Sequence, residues 1–526
     1  MNTNSSVYAQ LNKAWKSTCR ILLGEEIGEL KEYEEWLKEY MPVIGKRKSH
    51  ISGKDVTVAF DEYCKDANFV SLDEVKEKSI EPLTINEIKD IDSIVEAISE
   101  RWEYTGNKIL GNSSFVESSD TILESQYVFG SIDISQSTHI FNGALVRTNS
   151  KYIFGSPWLG QCEFLIRVIG ATNVKRGFES SEITDCSDIY FSHNCHGSHE
   201  LMFCFNQRSK RYCVGNLQLS KDKYLSLKAK LIKEVVEELK KEKRFPSLFA
   251  LVQDKMVDID LGIQISQNDQ IEQGDIKPIE KAFSSTFKIL FKREPDELSL
   301  YEKWLSRSFP AVYEIDTLFG SKTFATDFIP RAVYPKKRIV TVAEAEKLSR
   351  LHLEEKDIET LDTIKNSISK IAFFPGEVVG GINKNVIKGA LRFDCFNTYK
   401  VYTGVSSEYC GIDFMTMQSK YVFGCYRILH SEFCIDCHNS LNLNRCFELD
   451  SCENCSDTHF AHNCEGLQDA MFCWNAKGKR YAIGNAQLQP EQYRKIKDIL
   501  IEQMADEILK KKELRYDIFN IGCYNK

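Results

Sequence analysis

The sequence predicts an α+β chain made by tandem duplication. Each half is read as a small mixed α/β module, a parallel β-solenoid and a C-terminal capping helix. Three observations carry that expectation: a long self-match, a regular cysteine ladder, and amphipathic stretches placed equivalently in the two halves. The self-match is direct. At an offset of 269, Cys186-Ser187-Asp188 falls on Cys455-Ser456-Asp457, and His193-Asn194-Cys195 on His462-Asn463-Cys464. The same offset pairs Met202-Phe203-Cys204 with Met471-Phe472-Cys473, Lys210-Arg211-Tyr212 with Lys479-Arg480-Tyr481, and Gly215-Asn216 with Gly484-Asn485. An offset of 268 carries the match back to Ser17-Thr18 and Ser285-Thr286, and to Trp36-Leu37 and Trp304-Leu305.

The elements follow in order. Residues 29–40 and 297–307 carry apolar side chains at helical spacing, as do 85–102 and 342–371. A region rich in Cys, Phe, Tyr, Asn and Gly comes next, and then a charged helix at 221–243 or 491–512. Ser220 is the candidate cap of the first, and Pro490 occupies a first-turn position of the second. The resulting divisions are module A 1–104, solenoid A 105–219, capping helix A 220–252, a polar linker 253–277, module B 278–375, solenoid B 376–489, and capping helix B with its tail 490–526.

The ladder sets the solenoid expectation. Cys186, Cys195, Cys204 and Cys213 fall nine residues apart, and Cys437, Cys446, Cys455, Cys464 and Cys473 repeat the interval. Two such units read as an 18-residue coil whose thiols stack inward as small hydrophobes, with Asn, Gly and Asp in the turns. Upstream the interval loosens: Tyr127-Val128-Phe129-Gly130 recurs as Tyr152-Ile153-Phe154-Gly155, and Cys395, Cys410 and Cys425 lie fifteen apart, which predicts longer turns there.

Composition limits function. With 42% hydrophobic and 27% charged residues, the 526-residue chain can bury a core, and a formal charge of −8 argues against a chain-wide nucleic-acid footprint. No run approaches the roughly 18 apolar residues of a membrane span, and the start lacks a basic stretch followed by an apolar one. The expected location is therefore cytoplasmic rather than exported, with the 18 cysteines as thiols or metal ligands.

Chemistry candidates are few. Cys434, Cys437, Cys452 and Cys455 approach the spacing of a tetrathiolate zinc ribbon. The duplication maps them to Leu165, Val168, Ile183 and Cys186, which reads as core, so no cofactor is the main expectation and zinc the alternative. His193, His196 and His199 cluster around Cys195, but their counterparts are His462, Glu465 and Gln468, so only one pair survives, and it suits a turn hydrogen bond. Lys210-Arg211 and Lys479-Arg480, each followed by Tyr, are candidate basic–aromatic spots for phosphate or an acidic partner. An enzyme site between the halves would draw on His193, His462, Asp188 and Asp457; the lack of a P-loop, nucleophile elbow, zincin helix or dinucleotide fingerprint argues against one.

The strip Phe203-Cys204-x-Asn206-x3-Lys210-x-Tyr212-x3-Asn216, repeated from Phe472-Cys473 to Asn485, resembles a family of cysteine-rich repeat proteins of candidate-phyla bacteria, phages and giant viruses. In that family, zinc-ribbon-like modules with an E-L-x-x-Y helix precede the ladder. Glu29-Leu30 with Tyr33 and Glu297-Leu298 with Tyr301 match the helix, while only Cys19 and Cys64 remain in the first module and no cysteine in the second. The resemblance implies a structural or assembly component, such as a virion protein, that binds a protein partner or itself. The alternative is a zinc-dependent module that binds nucleic acid through Lys479-Arg480.

Overall fold

The computed structural model describes residues 2–524 except 60, 76–89, 161, 168, 253–273, 308–311, 327–333, 410, 417–422, 429–434, 436–445 and 450–455. Helices and parallel sheets alternate along the chain, an α+β organisation. The first helix, Ser6–Leu23, starts where Ser5 Oγ accepts the Tyr8 N–H and stops at Gly24, whose φ of 83° only glycine adopts cheaply. Its buried face, with Leu11, Trp15, Cys19 and Leu22, lies along the first sheet, where Trp15 meets Phe154 at 5.3 Å. The stretch at 29–40 is not one helix. It is a 3-10 turn, Leu30–Tyr33, followed by a short α-helix, Glu34–Lys38.

A small module follows. β1 (Gly45–Lys48) pairs antiparallel with β2 (Asp55–Val58), and β3 (Asn68–Ser71) pairs parallel with β4 (Glu103–Gly106). The described part of the expected 85–102 helix is Ile91–Ser99. The chain then enters the main sheet through β5 (Ile109–Leu110), β6 (Ser114–Glu117), β7 (Asp120–Leu123) and β8 (Gln126–Phe129). The sheet has 13 strands, with β6 and β8 off its main path, and is parallel until the closing pair Arg211–Val214 and Leu217–Gln218, which is antiparallel.

Register corrects the expected 18-residue repeat. Lys151 pairs with Glu163, Glu163 with Lys175, Lys175 with Ser187, Ser187 with His199, and His199 with Arg211, an advance of 12 residues at each step. The reason is a three-residue unit. Residues with positive φ recur at Asn173, Arg176, Glu179, Glu182, Asp185, Asp188, Phe191 and Asn194, so the backbone bends at every third position. Each bend costs a non-glycine residue about 1–2 kcal/mol and persists only because packing on both sides over-determines it. Residues that follow such bends face inward along this stretch: Val174, Ile183, Cys186, Ile189, Cys195, Leu201, Cys204 and Cys213 are all buried in one apolar cluster. Nine residues are three such units, which is why thiols nine apart all point inside while the strands pair at 12.

The looser spacing upstream has an equally local cause. Thr138 pairs with Lys151, one residue beyond the 12-residue step, where Thr148 and Asn149 both take positive φ. A single inserted residue, rather than a longer turn, separates the two Tyr-x-Phe-Gly copies.

The second parallel sheet set keeps the 12-residue advance: Lys384 pairs with Phe396, Cys446 with Thr458, Ser456 with Gln468, and Gln468 with Arg480. It too closes with an antiparallel pair, Arg480–Ile483 with Ala486–Gln487. Long helices follow both closures as expected. Lys221–Glu242 begins with Ser220 Oγ accepting from Lys223 N, and Pro490–Lys511 carries proline in its first turn. Among the described residues no helix is long and apolar enough to cross a membrane.

Candidate functional site

The described ladder thiols are consumed by the fold. Cys186 Sγ donates to the carbonyls of Thr184 (3.1 Å) and Cys195 (3.3 Å) and accepts the Ser198 N–H (3.3 Å). Ser180 makes the same three bonds one sheet position away, to Phe178 O (3.0 Å), Ile189 O (3.3 Å) and from Ser192 N (3.3 Å). A small side chain with one donor and one acceptor therefore stitches neighbouring strands, and sulfur and oxygen serve alike. Burial pushes the Cys186 thiol up to about 11 and Cys195 to about 12, so neither supplies a thiolate near neutral pH.

His193 and His462 hold the two halves together. His462 Nε2 accepts the Thr105 N–H at 2.8 Å, with its ring edge-on to Tyr63 and Tyr104 at 5.6 and 5.1 Å. His193 Nδ1 is 2.7 Å from Ser181 Oγ, and its ring sits 5.4 Å from Tyr334 and 4.9 Å from Phe374. Each histidine thus lies in an aromatic pair supplied by the other half's module. Asparagines repeat the exchange: Asn206 donates to Phe373 O at 3.0 Å and Asn475 to Glu103 O at 3.4 Å. Asp188 is elsewhere, held by Arg176 at 2.5 and 2.7 Å on the exterior, and Asp457 occupies a positive-φ bend. The four residues of the enzyme reading are not brought together in any described contact.

The basic spots are intramolecular stacks. The Arg211 guanidinium lies 4.8 Å over the Tyr212 ring and Arg480 4.8 Å over Tyr481; these rings in turn meet Tyr224 and Tyr493 of the two long helices at 5.6 and 5.7 Å. Lys210 is exposed beside the first stack and Lys479 half-buried beside the second. Cys434, Cys437, Cys452 and Cys455 lie outside the described residues. One expectation about cysteine is corrected: Cys64 and Cys523 form a disulfide, joining the first module to the C-terminal tail across a sequence separation of 459. The two residues meet because Tyr104 OH, buried in the module, donates to Ile518 O at 2.7 Å and so brings the tail alongside.

Two features went unread in the sequence. The first is an external column of rings at successive bends: Phe115, Tyr127, His139, Tyr152 and Phe164 stack at 4.9, 4.8, 4.9 and 5.3 Å, with planes no more than 31° apart. Aromatic residues recurring at 12 or 13 were the available signal. The second is a cleft of about 540 Å³ where the first module meets the start of the main sheet, lined by Lys54, Thr57, Ser71, Asp73, Asn107 and Val116 among others. No protein-family model, curated protein or solved structure matches the chain.

Proposed function

We propose that the protein is a non-enzymatic scaffold. Its two parallel stacks are read as β-solenoids produced by a tandem duplication, and their exterior columns are read as the surface offered to a protein partner in an assembly, the role that the family resemblance also implies. One observation carries this reading. The side chains with chemistry to offer, Cys186, Cys195, His193 and His462, are buried in contacts that build the stacks or join the halves, while the ring column from Phe115 to Phe164 is left partly exposed. Residues that recur in both halves are accounted for by packing: the histidines and asparagines grip the opposite module, and the arginine–tyrosine stacks seat the long helices.

The test compares the parent chain with a Tyr127→Ala/Tyr152→Ala variant, both tagged, for the proteins that co-purify from the native source. The expected result is a defined partner retained by the parent and lost by the variant, which still unfolds in one cooperative transition. An identical set on both, or a small-molecule turnover abolished by His193→Gln in a folded protein, overturns the scaffold reading.

A further inference from the structure

Among the described residues, the main sheet begins with an edge that no strand pairs with. Among the described residues β6 pairs only with β8, and β5 only with β7, so the outward side of both strands is unpaired. Exposed sheet edges template the addition of another strand. Its protection is partial: β6 (Ser-Phe-Val-Glu) carries no proline or lysine, and Phe115 is 49% and Ile109 39% exposed.

The first module forms a fixed wall over that edge. Asn107 Oδ1 accepts from Thr57 N (2.9 Å), and its Nδ2 donates to Asp55 O (3.0 Å) and Ser71 Oγ (3.1 Å). Asp120, fully buried, accepts from Ala59 N (2.8 Å) and Lys108 N (2.7 Å). The space left between wall and edge is the cleft of about 540 Å³, with Val116, Ser118 and Ser119 on the sheet side and Lys54, Ser71 and Asp73 opposite. That volume is within the roughly 300–1,000 Å³ of ligand-holding pockets. Lys54 is already paired with both oxygens of Asp73 at 2.6 Å, so the wall calls for no particular ligand charge.

We propose that this cleft binds an extended peptide segment of a protein partner, added as one further strand on β6, with an aromatic side chain placed over Phe115. The inference rests on the scaffold reading and names its partner chemistry. The ring column identifies the preferred residue: its rings continue at about 4.9 Å in one direction from Phe115, and the next place in the other direction is vacant among the described residues. Small or aliphatic side chains suit the position over Val116, as they do along the sheet interior. A second copy of the chain is disfavoured as the occupant, because its own β6 lies behind the same module wall and the two edges could not meet.

The probe is a fluorescein-labelled peptide copying residues 124–131, Glu-Ser-Gln-Tyr-Val-Phe-Gly-Ser, titrated with the full chain and followed by anisotropy. Saturable binding is expected, weakened about tenfold by Tyr→Ala in the peptide or by Phe115→Ala in the protein, since a stacked ring pair carries a factor of that order. Leu72→Trp, which fills the cleft from the wall side, provides a second variant, and unfolding midpoints confirm that both variants fold. Equal binding of a scrambled peptide, or binding unchanged in both variants, overturns the proposal. A concentration-dependent dimer lost in Phe115→Ala reassigns the edge to a second copy and also overturns it. If the peptide fails while the Tyr127→Ala/Tyr152→Ala variant still loses a partner, this inference falls and the scaffold reading stands.

Discussion

Replacing Cys186 separates two accounts of the buried thiols. If they act as small hydrophobes, alanine and serine should both cost little, and serine should be the worse of the two because it buries a hydroxyl. The geometry argues the opposite. In Cys186→Ala the carbonyl of Thr184 still accepts the Gly197 N–H at 3.0 Å and that of Cys195 the Thr184 N–H at 3.2 Å, so neither acceptor is orphaned. The Ser198 N–H, however, loses the sulfur it donates to, and Ser198 is fully buried. An unsatisfied buried donor costs about 1–3 kcal/mol, to which the lost sulfur adds a small cavity. Cys186→Ser keeps all three bonds in the pattern Ser180 already shows, and its cost is expected below about 1 kcal/mol. Urea unfolding with the slope held constant reads the difference. Alanine as stable as serine, or serine as damaging as alanine, would refute the stitching account and restore the hydrophobic one.

Further outcomes follow from other buried groups. His462→Leu removes the acceptor of Thr105 N–H at the junction of the halves and is expected to cost about 1–3 kcal/mol, read as a lower urea midpoint. His459 is 2% exposed and neither ring nitrogen has a partner among the described residues, so His459→Phe should raise the midpoint. Burial holds the His459 pKa well below the ordinary value, so the fold excludes its charged form: its contribution is intact above the unfolded value of 6.5 and lost as pH falls below it, and the phenylalanine variant should lose less stability there. Glu179 behaves oppositely. Desolvation raises it from 4.5 to about 7 despite the Arg167 guanidinium at 3.3 Å, so stability is full below about pH 4.5 and declines as pH rises through 7. The total is about 3 kcal/mol at 1.36 kcal/mol for each pH unit. Glu179→Gln should flatten that slope, and an unchanged profile between about pH 5 and 8 would show that another group sets it.

Much of this was legible because it is local. The cap Ser220 and the first-turn Pro490 start their helices where expected, the apolar stretches after Glu29 and Glu297 bury Tyr33, Trp36, Tyr301 and Trp304, and the ladder thiols that are described all face inward. The three-residue unit beneath that register was also written in the chain, as Ser113, Val116, Ser119, Ile122, Ser125 and Val128 recurring every third residue. Cysteine hid it. Only some inward positions are thiols, the others being serine, isoleucine, valine or leucine, so an eye drawn to cysteine finds three units instead of one.

The sequence by itself determined which residues face inward, where helices start and which positions recur at an offset of 269, because propensity, capping and hydrophobic alternation act over a few neighbours. Only the tertiary structure decided what the recurring His193 and His462 are for, that Cys64 meets Cys523, and that among the described residues no strand pairs with the walled edge at Phe115. These depend on which distant surfaces come together. Such pairings are set by the packing of one half's module against the other half's sheet, and no local period in the chain encodes them.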